Sequence, residues 1–187
     1  MVWKSLDPVP TDSAVTLVPT DTLETCPDLD MVCVGGGPGQ GPLMADPDIL
    51  AWLARQGTQA DYVTSVCSGS LLLGAAGLMK GYRAGSHWSV RDMLPAFGAE
   101  PVNERVVIDR NRISGGGVTA GIDFALTIVA MLRGEDEAKS LQLLCEYAPE
   151  PPFDAGLPER TTPEIAERAR AVLNEQIAKA GAALASA

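Results

Sequence analysis

The chain is poor in the residues that most often announce a function. It has one histidine, His87, and four cysteines, Cys26, Cys33, Cys67 and Cys145, none of them in a C-x-x-C pair. These absences exclude the usual zinc and iron–sulfur ligand sets. The cysteine positions, at strand ends and inside a helical pattern, do not read as a disulfide framework, so a reducing cytoplasm is the expected compartment. Basic residues are also scarce: 14 Lys and Arg against 24 Asp and Glu give a net charge of −10, with no basic cluster. Nucleic acid and anionic membrane surfaces both need basic patches and are excluded as partners. No apolar run reaches the roughly 18 residues of a membrane span, and the N-terminus lacks the basic-then-apolar order of a signal peptide. There is no internal repeat and no interdomain linker.

What is present builds a core. Hydrophobic residues are 46% of 187, which suits one globular domain over 1–187. Strand and helix patterns alternate. Val15 to Val18 reads as extended, and Met31–Val34 as a short strand buried on both faces. A helix follows from about Pro42 or Asp46 to Arg55, then a strand over Tyr62–Val66 and a helix over Gly69–Met79. Arg83–Gly85 reads as a short strand and Trp88–Phe97 as a helix. Val106–Asp109 and Arg112–Ser114 flank Arg110-Asn111 as a hairpin. Helices then cover 119–132 and 135–147, and a last one starts at Thr162-Pro163-Glu164, with a cap and a proline at the first helical position. This order predicts an α/β fold with a doubly wound, mostly parallel sheet and helices on both faces.

The chemistry centres on Cys67. The β-branched run Tyr62–Val66 stops there, and Ser68-Gly69-Ser70 opens a helix at once. A strand that turns sharply into a helix at a nucleophile-type residue has the outline of a nucleophile elbow. The helix N-terminus should lower the thiol pKa and make Cys67 the most reactive of the thiols, with Cys33 buried in its strand and Cys145 on a Leu-rich helical face. The structural alternative is a buried cysteine at a strand end. Gly35-Gly36-Gly37-Pro38-Gly39 follows the preceding strand. It lacks the Lys-Ser/Thr of a P-loop. It reads either as an oxyanion hole beside Cys67 or as a plain tight loop. His87 invites a Cys–His pairing, or is a packed or capping residue. Thr119 and Asp123, where a helix begins, have capping and dipole roles.

Together the GGG-x-G loop, S-V-C-S-G-S-L-L-L-G-A-A-G-L, S-H-W and G-G-G-V-T-A-G-I-D-F-A-L resemble the PfpI/ThiJ superfamily, with its glutamine-amidotransferase-like, flavodoxin-like fold. Val2-Trp3-Lys4, Cys26-Pro27-x-Leu29-Asp30 and Tyr147-Ala148-Pro149-x-Pro151-Pro152-Phe153 are similar to its isocyanide (isonitrile) hydratase branch. The resemblance implies Cys67 as nucleophile, Ser68 as its hydrogen-bonding neighbour, and the Gly36 and Gly37 amides near the reacting centre. It implies a lyase that adds water to a small-molecule isocyanide through a thioimidate, with no metal or organic cofactor. Gly35 and Pro38 stand where these hydratases commonly have Pro and Thr. The family's first strand and helix, with its catalytic aspartate, would lie before Met1, and no acidic residue of 1–187 matches that aspartate. A weak hydratase is therefore expected of this chain, with His87 as the one candidate replacement acid. The alternatives are a thiol redox sensor or binding protein on the same scaffold and, last, the ligand-sensing domain of a transcription regulator. Ile165, Ala169, Val172, Leu173, Ile177 and Leu184 form an apolar stripe at helical spacing. It either packs on the chain's own sheet or, as the superfamily's habit implies, supports a homodimer.

Overall fold

The structure is a computed structural model, described here for residues 1–11 and 15–185 and, in the last helix, for side chains up to residue 182. Its strands are β1 (Val2–Trp3), β2 (Val9–Pro10), β3 (Thr16–Leu17), β4 (Asp21–Thr22), β5 (Met31–Val34), β6 (Tyr62–Val66), β7 (Arg83–Ala84), β8 (Glu100–Pro101), β9 (Val106–Asp109) and β10 (Arg112–Gly115). Its helices are α1 (Gln40–Leu43), α2 (Pro47–Gln59), α3 (Gly69–Ala75), α4 (Ala120–Arg133), α5 (Glu135–Leu144) and α6 (Pro163–Ala185).

The central sheet has the order β5-β6-β10-β9. β5, β6 and β10 run parallel, and β9 closes one edge antiparallel to β10 as the outer arm of a hairpin. β6 and β10 lie in the middle and are covered on both faces. Val63, Thr64 and Ser65, and all of Arg112–Gly115, are buried. Polar groups in so dry a place need partners. Thr64 Oγ1 donates to the Val32 carbonyl at 3.0 Å, and the Gly85 N–H donates to Ser114 Oγ at 2.8 Å. The Arg112 guanidinium donates to the Leu78 carbonyl at 2.8 Å and lies 4.5 Å from the Tyr82 ring centre. α2 and α3 pack on β5 and on each other, while α4 packs on β10, β6 and β9 and carries α5 outside it. This is the α/β, doubly wound arrangement that the alternation of patterns predicts. The main core lies on the α2–α3 side, with Leu71, Leu72, Leu73, Met79 and Leu94 against Val32 and Val63.

Several elements differ from the sequence expectation for local reasons. The first helix is two: Asp46 caps α2 by accepting from the Asp48 and Ile49 amides, and that cap separates it from α1. α3 stops at Ala75 because Gly77 takes φ +79° and turns the chain. Arg91–Phe97 is a 3₁₀ helix with Pro95 inside it, where an α-helix would lose a hydrogen bond. β5 is not buried on both faces. It has a strand on one side only among the described residues, and alternation turns Cys33 outward, exposed, while Val32 faces the core. Cys145 is likewise exposed, at the C-terminal cap of α5, beside exposed Leu143 and Leu144. The apolar stripe of α6 does not pack on the sheet: Ile165, Val172 and Ile177 are exposed, and α6 rests on α1 instead. The Leu184 side chain lies outside those described.

Gly69 locks α3 onto β5, because a Cβ there would sit 2.1 Å from the Val34 carbonyl oxygen, a backbone atom that cannot give way. A Cβ on Gly41 would meet nothing within 4 Å. Gly69→Ala is therefore expected to destabilise the fold by about 1–3 kcal/mol or more. Gly41→Ala is expected to be neutral or to add up to about 1 kcal/mol through helix propensity. Denaturant midpoints for the two variants, measured side by side, check this; equal midpoints would contradict the close approach at Gly69.

Candidate active site

Cys67 follows β6 directly with φ +60°, in the left-handed region, where a side chain with a Cβ is disfavoured. Such strain, of order 1–3 kcal/mol, persists only where the surroundings over-determine it. Here they do. The Cys67 N–H donates to the carbonyls of Gly116 at 2.7 Å and Gly115 at 3.1 Å. The Cys67 carbonyl accepts from Ser86 Oγ at 2.9 Å, from the His87 N–H at 3.3 Å and from Ser70 Oγ at 3.5 Å. The strand–turn–helix with a strained cysteine at its apex has the form of a nucleophile elbow.

The Gly-rich loop closes on this turn. A Cβ on Gly36 would lie 2.5 Å from the Ser68 amide nitrogen and 2.6 Å from Cys67 Cβ, so only glycine fits. The Gly37 N–H donates to Ser68 Oγ at 3.1 Å, and Gln40 Nε2 pins the loop from behind by donating to the Gly35 carbonyl at 2.8 Å. Gly35 and Gly37 have open space where a Cβ would be, so the steric demand falls on position 36 alone.

The electrostatics reverse one sequence expectation. Burial pushes the Cys67 thiol above its ordinary pKa, and hydrogen bonds from the Ser68 amide and hydroxyl only partly oppose it. No cation contributes, and α3 is only seven residues long and begins in the dry interior, so desolvation wins over the helix dipole. The four cysteines are free; Cys33 and Cys145 are exposed while Cys67 is partly buried, so simple alkylation no longer singles out Cys67.

His87 is joined to Cys67 through backbone rather than through its ring. Its Nδ1 is turned to Ser89, 2.8 Å from Oγ and 3.3 Å from the amide nitrogen. Burial lowers its pKa, which keeps the imidazole neutral at pH 7. The ring borders a cavity of about 980 Å³ that begins at Ser86, His87 and Gly116, three of the residues that hold the elbow, and continues past Gly117 between Trp88, Val118, Ile122 and Phe153.

Sequence reasoning missed Arg105. Its carbonyl accepts from the Gly116 N–H at 2.9 Å, directly behind the carbonyl that holds Cys67. Its guanidinium pairs with Asp123 and donates to the Thr119 carbonyl at 2.8 Å. Tyr147 donates its hydroxyl to Asp123 Oδ2 at 3.1 Å. Thr119 makes no side-chain cap of α4; it and Asp123 serve instead to bind Arg105 to the helix start. No local motif marks Arg105, because its partners come from α4 and from beyond α5. Among the described residues no three His, Cys, Asp or Glu side chains gather as a metal cluster, and no helix is long and apolar enough to cross a membrane.

Comparison with known proteins gives the family. The chain is 54% identical over 170 residues to an isonitrile hydratase of Pseudomonas putida, covering 91% of this chain and 75% of that protein. A crystal structure of a ThiJ/PfpI family protein from Pseudomonas syringae is similar with a TM-score of 0.89 at 49% identity, covering 97% of this chain and 76% of that one. An HTH-type transcriptional regulator, GbdR, of Pseudomonas aeruginosa is 29% identical over 148 residues, 78% of this chain and 38% of that protein. The DJ-1/PfpI family model matches residues 1–131, and with these relatives it establishes that the chain belongs to the DJ-1/PfpI family.

Proposed function

We propose that this protein hydrates an isocyanide to an N-substituted formamide, with Cys67 as nucleophile. The observation that carries the reading is the strained Cys67 elbow under a glycine loop, in a chain 54% identical to an isonitrile hydratase. The Cys67 sulfur bonds to the terminal carbon of R–N≡C, and that carbon takes a proton, giving the thioimidate Cys–S–CH=N–R. Water then adds to the same carbon, the nitrogen takes a proton, and the C–S bond breaks to release R–NH–CHO and the thiol. Gly36, Gly37 and Ser68 bound the reacting centre as hydrogen-bonding groups. Neutral His87 borders the cavity and can offer a hydrogen bond there, while the carbon's proton comes from the thiol and the nitrogen's from the added water.

Two further features fit the same reading. The four free cysteines suit a reducing cytoplasm. The exposed Ile165, Val172 and Ile177 on α6 suit a homodimer, whose patch would be self-complementary. A thiol redox sensor on this scaffold would gain from a lowered thiol pKa, and burial of Cys67 acts the other way.

Formamide production from an aryl isocyanide, followed chromatographically, tests the function, and Cys67→Ala is expected to abolish it. A Cys67→Ala variant with undiminished turnover would overturn the role of Cys67. The thiol pKa is raised, so the thiolate is a minority at pH 7 and kcat/KM should climb with pH, with a midpoint above the ordinary thiol value of about 8.5. A plateau already reached below pH 7 would contradict that electrostatic account. Light scattering at micromolar concentration should give twice the chain mass; a monomer mass would contradict the dimer.

A further inference from the structure

We propose that α6 is part of the active site: Arg170 is a positioning residue that locks the Trp88–Ser89 turn and thereby holds His87 as the neutral tautomer that offers Nε2–H to the cavity. The inference deepens the hydratase reading, and rests on it only for what the offered N–H does.

The tautomer follows from who can donate. The Ser89 backbone N–H points at His87 Nδ1 over 3.3 Å. A backbone amide has no lone pair to offer, so Nδ1 must be the acceptor and carries no proton. Ser89 Oγ, 2.8 Å from the same nitrogen, completes the arrangement as a second donor. In a neutral ring the single proton then sits on Nε2. That edge of the ring faces Gly117, since a Cβ built there would lie 3.1 Å from Cδ2 and 3.7 Å from Nε2. Both residues border the cavity.

The turn carrying Ser89 is tied on its inner side by its own backbone. The Val90 and Arg91 amides both donate to the His87 carbonyl at 3.0 Å, and the His87 amide donates to the Cys67 carbonyl. Its outer side is held by α6. Arg170 Nη1 donates to the Ser89 carbonyl at 3.3 Å, and its guanidinium lies 4.7 Å from the Trp88 ring centre. These partners are 81 residues apart in sequence, so the contact is tertiary and no local pattern explains it. Trp88 and the Ser89 carbonyl are the groups that would swing if Ser89 left His87. α6 also rests on α1, which continues the glycine loop over Cys67. One helix thus braces both walls of the elbow. In the hydration, a thioimidate nitrogen that reaches this cavity has a lone pair to accept from Nε2–H once sulfur has added to carbon.

His87 is the chain's only histidine, so long-range ¹H–¹⁵N NMR of the imidazole reads one residue without assignment. For the wild-type protein near pH 7.5 we expect an acceptor-type Nδ1 and a protonated Nε2. Arg170→Ala should move both nitrogens toward the averaged values of a ring exchanging between tautomers. Arg170→Lys should restore the wild-type pattern only in part, since an ammonium cannot lie flat on the indole while reaching the Ser89 carbonyl. With an isocyanide as substrate, Arg170→Ala should lower kcat about two- to fivefold, the worth of an exposed cation–π contact, and leave KM nearly unchanged. A protonated Nδ1 in the wild type would overturn the proposal, as would an unchanged imidazole spectrum in Arg170→Ala. Where Arg170→Ala fails to fold, an unaltered wild-type pattern in Arg170→Lys counts against the brace in the same way. The NMR result stands without turnover, so absence of formamide would sink the hydratase reading while leaving the brace to be judged by the spectrum.

Discussion

The structure depends on one strained residue being held from both sides. Cys67 takes a left-handed backbone angle that isolated peptides avoid, and it keeps that angle because its N–H and its C=O are both multiply engaged. The donors and acceptors come from distant parts of the chain: Gly115 and Gly116 at the end of β10, and Ser86 and His87 after β7. Sheet pairing brings them together. β10 lies beside β6 in register, with Gly115 opposite Val66, so the carbonyls that receive the Cys67 amide arrive as soon as the two strands pair. The pairing that builds the sheet thus also shapes the elbow, and the strain is offset by hydrogen bonds that it brings into reach.

The second consequence is electrostatic. Many nucleophilic cysteines are activated by a nearby cation or a helix terminus. Cys67 has small, neutral groups around it, and its thiol is pushed up rather than down. The neighbouring imidazole is neutral for the same reason, burial. The charged pair Arg105 with Asp123 is directed at α4 and Tyr147 and is linked to Cys67 through the Gly116 backbone. Such a site gains little from attracting ions. It suits a neutral electrophile, for which orientation and exclusion of water matter more than field strength.

The legible and illegible parts of the chain divide along physical lines. The Tyr62–Val66 strand, its break at Cys67 and the following helix could be read because local steric rules write them: β-branched residues, then small residues, then a Leu/Ala pattern. The parallel order of β5, β6 and β10 followed from alternation. Burial was less readable. Cys33 looks like a core residue in an apolar run, yet among the described residues its face of β5 is uncovered, and which face is covered is a property of the whole sheet. The thiol pKa required knowing that desolvation exceeds the dipole of a short helix. Arg105 and Arg170 were invisible because their partners are supplied by tertiary packing, with nothing periodic to announce them.

The same reasoning applies to the apolar surface. On α4, Ile122, Met131 and Leu132 are exposed although the helix as a whole is strongly apolar, and its buried residues are only Ala120 and Phe124. A helix that is apolar nearly all round is ordinarily covered nearly all round. α5 covers one side of it and the sheet another, which leaves the remaining face open together with Leu143 and Leu144. Scattered exposed leucines need no explanation, but contiguous ones mark surfaces whose hydration is costly. The two sides of the sheet therefore contribute differently. The α2–α3 side is dry and carries the main core. The α4–α5 side is only half covered and supplies, through Thr119, Asp123 and Tyr147, one wall of the cavity. That wall still reaches Cys67 through the backbone: Thr119 and Asp123 hold Arg105, whose carbonyl accepts from the Gly116 N–H, and the Gly116 carbonyl accepts from the Cys67 N–H.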